Sequence, residues 1–325
     1  MVGSNEVMTI GLDLGGTKIE TALVDSAGNI VVSRRQPTNP EKGPDEVIAN
    51  IVACVEACLS EAGKTAQGIG VGVAGQLDRT GTLRFSPNLP GWCDVPLRTK
   101  LEDALGMPVV ITNDVRATTW GEWQHGAGQG VDNMVCLFVG TGIGGGVVSG
   151  GQLMDGCSNT AGELGHMTIV ASGRRCHCPN RGCLEAYAGG WAIAERAQEA
   201  VRANPKAGQR LVALARGIQQ ISAATVTQAC SEGDPLTCHL VEETAQYLAA
   251  GAVAIVNAFN PCLLIFGGGV IQGRPEYISA VASIVRENAL PTAVEGLRIV
   301  MAALGDKAGV IGAATLARDK IRKAM

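Results

Sequence analysis

The sequence predicts an α/β protein of two lobes, each built on the same α/β unit. Three observations predict it. Ile10 to Val24 reads as strand, glycine-threonine turn, strand, and Met134 to Ser149 repeats that pattern. Between and after these segments, helical periodicities alternate with short apolar runs. Finally, 325 residues are long for one domain and comfortable for two, with enough chain to bury a sizeable core.

The elements follow in order. Met8 to Leu12 is a short apolar strand, and Ile19 to Val24 and Asn29 to Ser33 complete a three-strand meander across the turn composition Asp25-Ser26-Ala27-Gly28-Asn29. Pro44 and Asp45 open a helix whose apolar positions Val47, Ile48, Ile51, Val52, Val55 and Leu59 share one face, and Gly63 stops it. Ile69 to Val73 and Pro108 to Thr112 are buried strands, the second ending at Asn113-Asp114, with a helix from Arg116 to Gln124. The pattern then returns at Met134 to Val139, with Gly140 to Gly146 as its turn and a second strand through Val147-Val148-Ser149. Gly189 to Ala203 and Val241 to Phe259 are helical; Leu263 to Phe266 and Leu297 to Met301 are strands; Lys307 to Lys323 is a final helix. Duplicated units of this kind would set two glycine hairpins facing each other across a cleft. The expected division is a small lobe of residues 1–117 plus about 306–325, and a large lobe of residues 118–305.

Composition removes several classes. Apolar residues are 46% and charged residues 17%, which is globular composition. The 44 glycines follow no Gly-X-Y period and accompany only 13 prolines, so they point to tight turns and close backbone approaches. A net charge of −4 without a basic patch argues against nucleic acid as partner. It does not argue against a small anion, which backbone N–H groups can hold. The stretch Met1 to Met8 lacks a positive start and no run of about 18 apolar residues occurs, so neither a signal peptide nor a membrane span is expected. The expected compartment is the cytoplasm, with the eleven cysteines as reduced thiols. Cys54 and Cys58 sit on the apolar helix face, and Cys136 and Cys262 lie in strand-like runs.

Four segments could carry chemistry. In Asp13-Leu14-Gly15-Gly16-Thr17-Lys18 the paired glycines let backbone N–H groups approach phosphate oxygens, and an Asp at a strand end can hold Mg²⁺ through water. The same residues also suit a plain glycine hairpin. They are not a dinucleotide fingerprint, because a strand follows. Gly140 to Gly146 offers the same two readings, with more glycine than ordinary strand packing favours; paired with the first hairpin it points to an ATP site. Asn113-Asp114 after a strand is either a base for phosphoryl transfer or a helix N-cap. Fourth come Glu163-Leu164-Gly165-His166 and Cys176, Cys178 and Cys183, three cysteines within eight residues. A His-Cys-Cys-Cys set suits tetrahedral Zn²⁺ in a structural role, the alternative being three buried or reactive thiols. His177 is a competing ligand.

Taken in order, these motifs resemble the ROK family of sugar kinases, within the actin-like and hexokinase-like ATPase superfamily. The resemblance rests on Gly11 to Lys18, Gly72 to Gly75, Asn88-Leu89-Pro90-Gly91-Trp92, Asn113-Asp114, Gly140 to Gly146, Glu163 to His166, the cysteine cluster with Gly182-Cys183-Leu184-Glu185, and Phe266 to Gly269. It implies a two-lobed, ribonuclease H-like fold with an interlobe cleft. It implies an ATP-dependent hexokinase acting on the 6-hydroxyl of a hexose, with glucose first and N-acetylmannosamine or N-acetylglucosamine second. Asp114 would be the general base. Gly75, Asn88, Asn113, Glu163, His166 and Glu185 would bind sugar. Gly15, Gly16, Thr17 and Lys18 would hold the terminal phosphates with Asp13 near Mg²⁺, Gly140, Thr141 and Gly142 would form the second phosphate hairpin, and Gly267 and Gly268 would lie along the nucleotide. His166, Cys176, Cys178 and Cys183 would bind zinc. One departure is Pro179, where the family usually has Gly; it fixes its own φ and lacks a donor. A homodimer is expected. Sugar-responsive repressors of the same family carry a DNA-binding segment before this core; with the first motif at Gly11, that reading is not favoured, nor is a non-catalytic sugar-binding protein.

Overall fold

The structure, a computed structural model, describes residues 7–324, so most of the stretch from Met1 to Met8 lies outside the described residues. Two units divide the chain. Unit 1 comprises the chain up to Val131, Gln152–Gly162 and the chain from Ala303 onward; unit 2 comprises Asp132–Gly151 and Glu163–Ala302.

Unit 1 begins with β1 (Thr9–Leu14), β2 (Lys18–Val24) and β3 (Ile30–Pro37), the expected meander. Helix α1 (Pro44–Ala62), strand β4 (Ile69–Val73), the short strands β5 (Gln76–Leu77), β6 (Leu83–Phe85) and β7 (Cys93–Val95), helix α2 (Leu97–Leu105), strand β8 (Val109–Asn113) and helix α3 (Asp114–His125) follow. The main sheet has the order β3-β2-β1-β4-β8, antiparallel through β1 and parallel from β1 to β8. Pro44 starts α1 where its missing N–H costs nothing, and Gly63 ends it in the left-handed region at φ 58°, donating to the carbonyls of Leu59 and Ser60. The apolar face of α1 buries Val47, Ile48, Ile51 and Val55 together with Cys54 and Cys58, against Ile10, Leu12, Val71 and their neighbours. Each such fully buried aliphatic side chain contributes roughly 1.5–3 kcal/mol.

The other face of this sheet takes the C-terminal helix, Ala308–Ala324. Glycines seat it. A Cβ on Gly11 would stand 1.8 Å from the Val310 carbonyl oxygen, and one on Gly70 would stand 1.8 Å from that of Ala313. Only a hydrogen fits at these two strand positions, so helix and sheet backbones meet directly.

In unit 2, β9 (Met134–Val139) and β10 (Ile143–Ser149) form the second antiparallel hairpin; the brief strand β11 (Gln152–Leu153) falls in the segment that belongs to unit 1. Helices α4 (Glu185–Ala188), α5 (Gly190–Ala203), α6 (Gln209–Ala215), α7 (Ala223–Ser231) and α8 (Pro235–Phe259) precede β12 (Leu263–Gly267). Helices α9 (Gly269–Gly273), α10 (Glu276–Asn288) and α11 (Pro291–Val294) and strand β13 (Arg298–Met301) complete the unit. The order β10-β9-β12-β13, antiparallel then parallel, repeats β2-β1-β4-β8 of unit 1. The duplication read from two glycine hairpins is therefore a duplication of sheet topology.

Three expectations need correction. Gly144, Gly145 and Gly146 are not turn: they lie in β10, paired with Phe138, Leu137 and Cys136, because the ladder to β9 holds their backbone extended. The turn is Gly140 to Gly142, closed by the Gly140 N–H donating to the Gly142 carbonyl at 2.9 Å. Cys262 is exposed and precedes β12 rather than lying in it, while Cys136 is buried in β9. The helix expected from Arg116 starts at Asp114, because Asn113 caps it.

Candidate functional site

In unit 1 the parallel strands β1, β4 and β8 are neighbours, and their carboxyl ends deliver most of that unit's expected site residues. Register pairs Asp13 with Gly72 and Val73 with Asn113, so Asp13, Gly75 and Asn113-Asp114 leave adjacent strands at one end of the sheet. That is where ligands of open α/β sheets bind. Both sequence readings of Asn113-Asp114 meet here. Asn113 is the N-cap, its Oδ1 accepting from the N–H groups of Val115 and Arg116 at 3.0 and 3.2 Å. This leaves Asp114 as the first helical residue. Gly72 makes room for it, since a Cβ there would come 3.3 Å from the Asp114 Cα and 3.1 Å from the Ala117 Cβ.

Asp13 is the most perturbed carboxylate at this end. Burial, followed by the charge of Asp114, raises it to about 7; Lys18 and Arg35 oppose the rise. A carboxylate so placed gains most from a cation beside it. Nearby Glu20 behaves oppositely: burial alone would raise it, but hydrogen bonds from Lys307 and Arg35 outweigh that and hold it below the ordinary range.

The first glycine turn is tightly built. Gly15 N–H donates to the Lys18 carbonyl at 3.0 Å, Thr38 Oγ1 donates to the Gly15 carbonyl at 2.6 Å, and Thr38 N–H donates to the Thr17 carbonyl at 3.0 Å. A Cβ on Gly16 would stand 2.3 Å from the Asn88 carbonyl oxygen. Asn88 is exposed, while Leu89 and Trp92 just after it are buried in the core.

In unit 2 the equivalent strand ends carry Gly140 to Gly142 after β9 and Gly267-Gly268 at the end of β12. Gly268, at φ +87°, passes so near that a Cβ would stand 2.4 Å from the Val139 carbonyl oxygen. Glu185 holds the hairpin. Its Oε2 accepts from Ile143 N–H at 2.7 Å and its Oε1 from Trp191 Nε1 at 3.3 Å. Glu163 is exposed and opens a 3-10 turn, Leu164–His166, packed so closely on β10 that a Cβ on Gly165 would stand 2.0 Å from the Ile143 carbonyl oxygen.

His166, Cys176, Cys178 and Cys183 converge, with one ligand atom from each lying within 4.8 Å of all the others. His166 Nδ1 is 3.7 Å from Cys176 Sγ, and Cys178 Sγ is 3.6 Å from Cys183 Sγ. The edges of a tetrahedron with zinc–sulfur bonds of about 2.3 Å and a zinc–nitrogen bond of about 2.0–2.1 Å are about 3.6–3.8 Å, so the donor set fits Zn²⁺. Burial pushes the Cys183 thiol up to about 12 and Cys176 in the same direction, a cost that a bound divalent cation would reverse. His177 takes no part: it is exposed and stacks on Trp191. Pro179 is also exposed, and the loop closes around it through Cys176 N–H donating to the Asn180 carbonyl at 3.2 Å.

One feature of unit 2 has no counterpart in the sequence reading. A pocket of about 930 Å³ extends from Gly140 and Thr141 past Trp191 to Ile221, Ser222, Thr227 and Gly269. Helix α7 forms its far wall. The signal for α7 was present in the Ser222-to-Thr225 capping box, but nothing in that box says what the helix faces.

Two repeated sheets of this order, each ending in a glycine hairpin, define the actin-like ATPase fold. Residues 9–320 match the ROK family, and the chain belongs to it. It is 35% identical over 319 residues to a glucokinase of Streptomyces coelicolor, covering 96% of this chain and 98% of that one. A crystal structure of a ROK family glucokinase from Streptomyces griseus in complex with glucose and AMPPNP superposes with a TM-score of 0.80 at 35% identity, covering 96% of this chain and 99% of that one. A ROK hexokinase from Thermus thermophilus superposes with a TM-score of 0.84 at 35% identity, covering 98% and 100%.

Proposed function

We propose that this protein is a glucokinase that transfers the terminal phosphoryl group of ATP to the 6-hydroxyl of glucose. The observation that carries the reading is the meeting of Asp13, the Gly15–Thr17 turn and Asp114 at the carboxyl ends of β1, β4 and β8. The likeness to glucokinases, one of them holding glucose and AMPPNP, favours glucose over other hexoses and ATP as donor.

Asp114 accepts the 6-hydroxyl proton as the oxygen attacks the terminal phosphorus and the bond to the departing ADP breaks. Asn113 spends its Oδ1 on the cap and one Nδ2 hydrogen on the Gly75 carbonyl at 3.5 Å, so the second Nδ2 hydrogen is what remains to donate to a sugar oxygen. Gly75, Asn88, Glu163, His166 and Glu185 are the sugar ligands of this reading. Gly15, Gly16, Thr17 and Lys18, with Gly140, Thr141 and Gly142, hold the phosphates, and Gly267 and Gly268 follow the nucleotide. Mg²⁺, held through Asp13, neutralises phosphate charge when bound. His166, Cys176, Cys178 and Cys183 would hold Zn²⁺ in a structural role, fixing the 166–183 segment, with the other nitrogen of His166 left for sugar. The same reading expects a cytoplasmic homodimer. Among the described residues no helix is long and apolar enough to cross a membrane.

The test is ADP release, coupled to an optical readout, with ATP and Mg²⁺ against glucose, mannose, N-acetylglucosamine, N-acetylmannosamine and fructose. Preference for glucose is expected. Preference for an acetamido sugar keeps the chemistry and replaces the substrate, and no turnover with any sugar overturns the reading.

A further inference from the structure

Trp191 lies outside every motif that carries the family resemblance, yet three parts of unit 2 meet on it. Its Nε1–H donates to Glu185 Oε1 at 3.3 Å. Its backbone N–H donates to the Thr141 carbonyl at 3.0 Å, and the preceding Gly190 N–H donates to the Gly140 carbonyl at 2.9 Å. Its ring stacks on His177, with centroids 3.9 Å apart and planes 20° from parallel. His177 sits between Cys176 and Cys178 in sequence, so the stack ties the start of α5 to the loop of the four metal-type donors.

The chemistry gives each contact a task. A glutamate turns easily about its last torsion, which is broad and roughly two-fold. Glu185 has one oxygen fixed by Ile143 N–H, and the indole supplies the second fixed donor. Two donors on two oxygens set the carboxylate plane, which one alone does not. Hydrogen bonds to an ionised acceptor are also the stronger kind. The ring can serve as a fixed donor because His177 braces one of its faces.

We infer that Trp191 is a positioning residue: its indole N–H sets the carboxylate of Glu185, its backbone clamps the Gly140–Gly142 hairpin, and His177 holds the ring in place. The consequence for catalysis rests on the reading of Glu185 as a sugar ligand given under Proposed function. Trp191→Phe keeps an aromatic ring beside His177 while removing the N–H donor together with one ring of the indole. His177→Ala removes the brace from an exposed position, where a substitution does not threaten the fold.

Three measurements on the full zinc-loaded chain test this. The first is the ¹⁵N-indole NMR spectrum, in which the Trp191 N–H resonance, assigned with Trp191→Phe, shifts on Glu185→Gln. The second is steady-state kinetics: Trp191→Phe raises the KM for glucose roughly 3–10-fold, the worth of one hydrogen bond, with a smaller change in kcat. The third is metal content: His177→Ala keeps the zinc stoichiometry of the wild type while raising the glucose KM in the same direction. An indole resonance indifferent to Glu185→Gln, an unchanged glucose KM in folded Trp191→Phe, or loss of zinc from His177→Ala overturns the inference. If the wild type phosphorylates no sugar, the functional reading falls and the indole resonance alone decides the role of Trp191.

Discussion

Gly312 of the C-terminal helix lies against Ala117 of α3 so closely that a Cβ on the glycine would stand 1.8 Å from the Ala117 carbonyl oxygen. Gly121 continues the seam one turn later, where a Cβ would stand 2.6 Å from the Ala308 carbonyl oxygen. The two helices thus touch backbone to backbone, and α3 is the helix whose first residue is Asp114.

Gly312→Ala is expected to destabilise the protein by about 1–3 kcal/mol or more, since neither partner is a side chain that could swing away. Gly269→Ala is the control: a Cβ there meets nothing within 4 Å, so the change should lie within about 1 kcal/mol of zero. Urea unfolding of both variants checks this, and equal midpoints would remove the seam from the account of stability.

Asp114→Asn should lower kcat by about 10²–10⁴-fold, because the amide cannot take the hydroxyl proton. The fold should survive, since the cap is made by Asn113 and not by Asp114. Turnover near wild type, in a variant with wild-type thermal unfolding, would remove Asp114 from the role of base.

Asp13 gives a pH dependence with a definite sign. Its folded value is raised from 3.8 to about 7, so the folded state holds a proton that the unfolded state releases. The associated stability is fully present below about pH 4 and is lost as pH rises through about 7. Without divalent cation, Asp13→Asn should therefore unfold at a higher temperature than wild type at pH 8, with the gap closing as pH falls toward 4. Mg²⁺ should narrow the gap at pH 8 by stabilising the wild type alone. A gap independent of pH would refute the assignment.

The four donors predict one zinc per chain. Cys178→Ser should lose the metal and unfold at a lower temperature. It should also raise the glucose KM, because His166 would no longer be held. Metal analysis of the pure wild type and of the variant checks all of this, and wild-type protein without zinc would sink it.

Much of this was legible in the residues because local chemistry carried it. The Asp13–Lys18 and Gly140–Gly142 turns announce themselves through glycine beside threonine. Gly63 and Pro44 mark the ends of α1 through their own backbone preferences. The four metal-type donors His166, Cys176, Cys178 and Cys183 are legible through spacing. What the sequence hides depends on partners distant along the chain. Gly11 and Gly70 look like ordinary strand glycines until the C-terminal helix lies on them. Glu185 reads as part of a cysteine motif, and its hold on Ile143 and Trp191 is a tertiary fact. Gly144 to Gly146 mislead because glycine density suggests a turn, while pairing to β9 decides for strand.

The seat of the C-terminal helix has a further consequence, for the order in which the protein is made. A ribosome issues β1, β4 and α3 early, but the helix that fills their glycine groove comes only after unit 2. All of unit 2 emerges before it. Biosynthesis thus completes the second unit first, and the first waits with the groove at Gly11 and Gly70 bare. Chains stalled short of Ala308 should draw chaperones to that groove, while unit 2 of the same chains already resists protease.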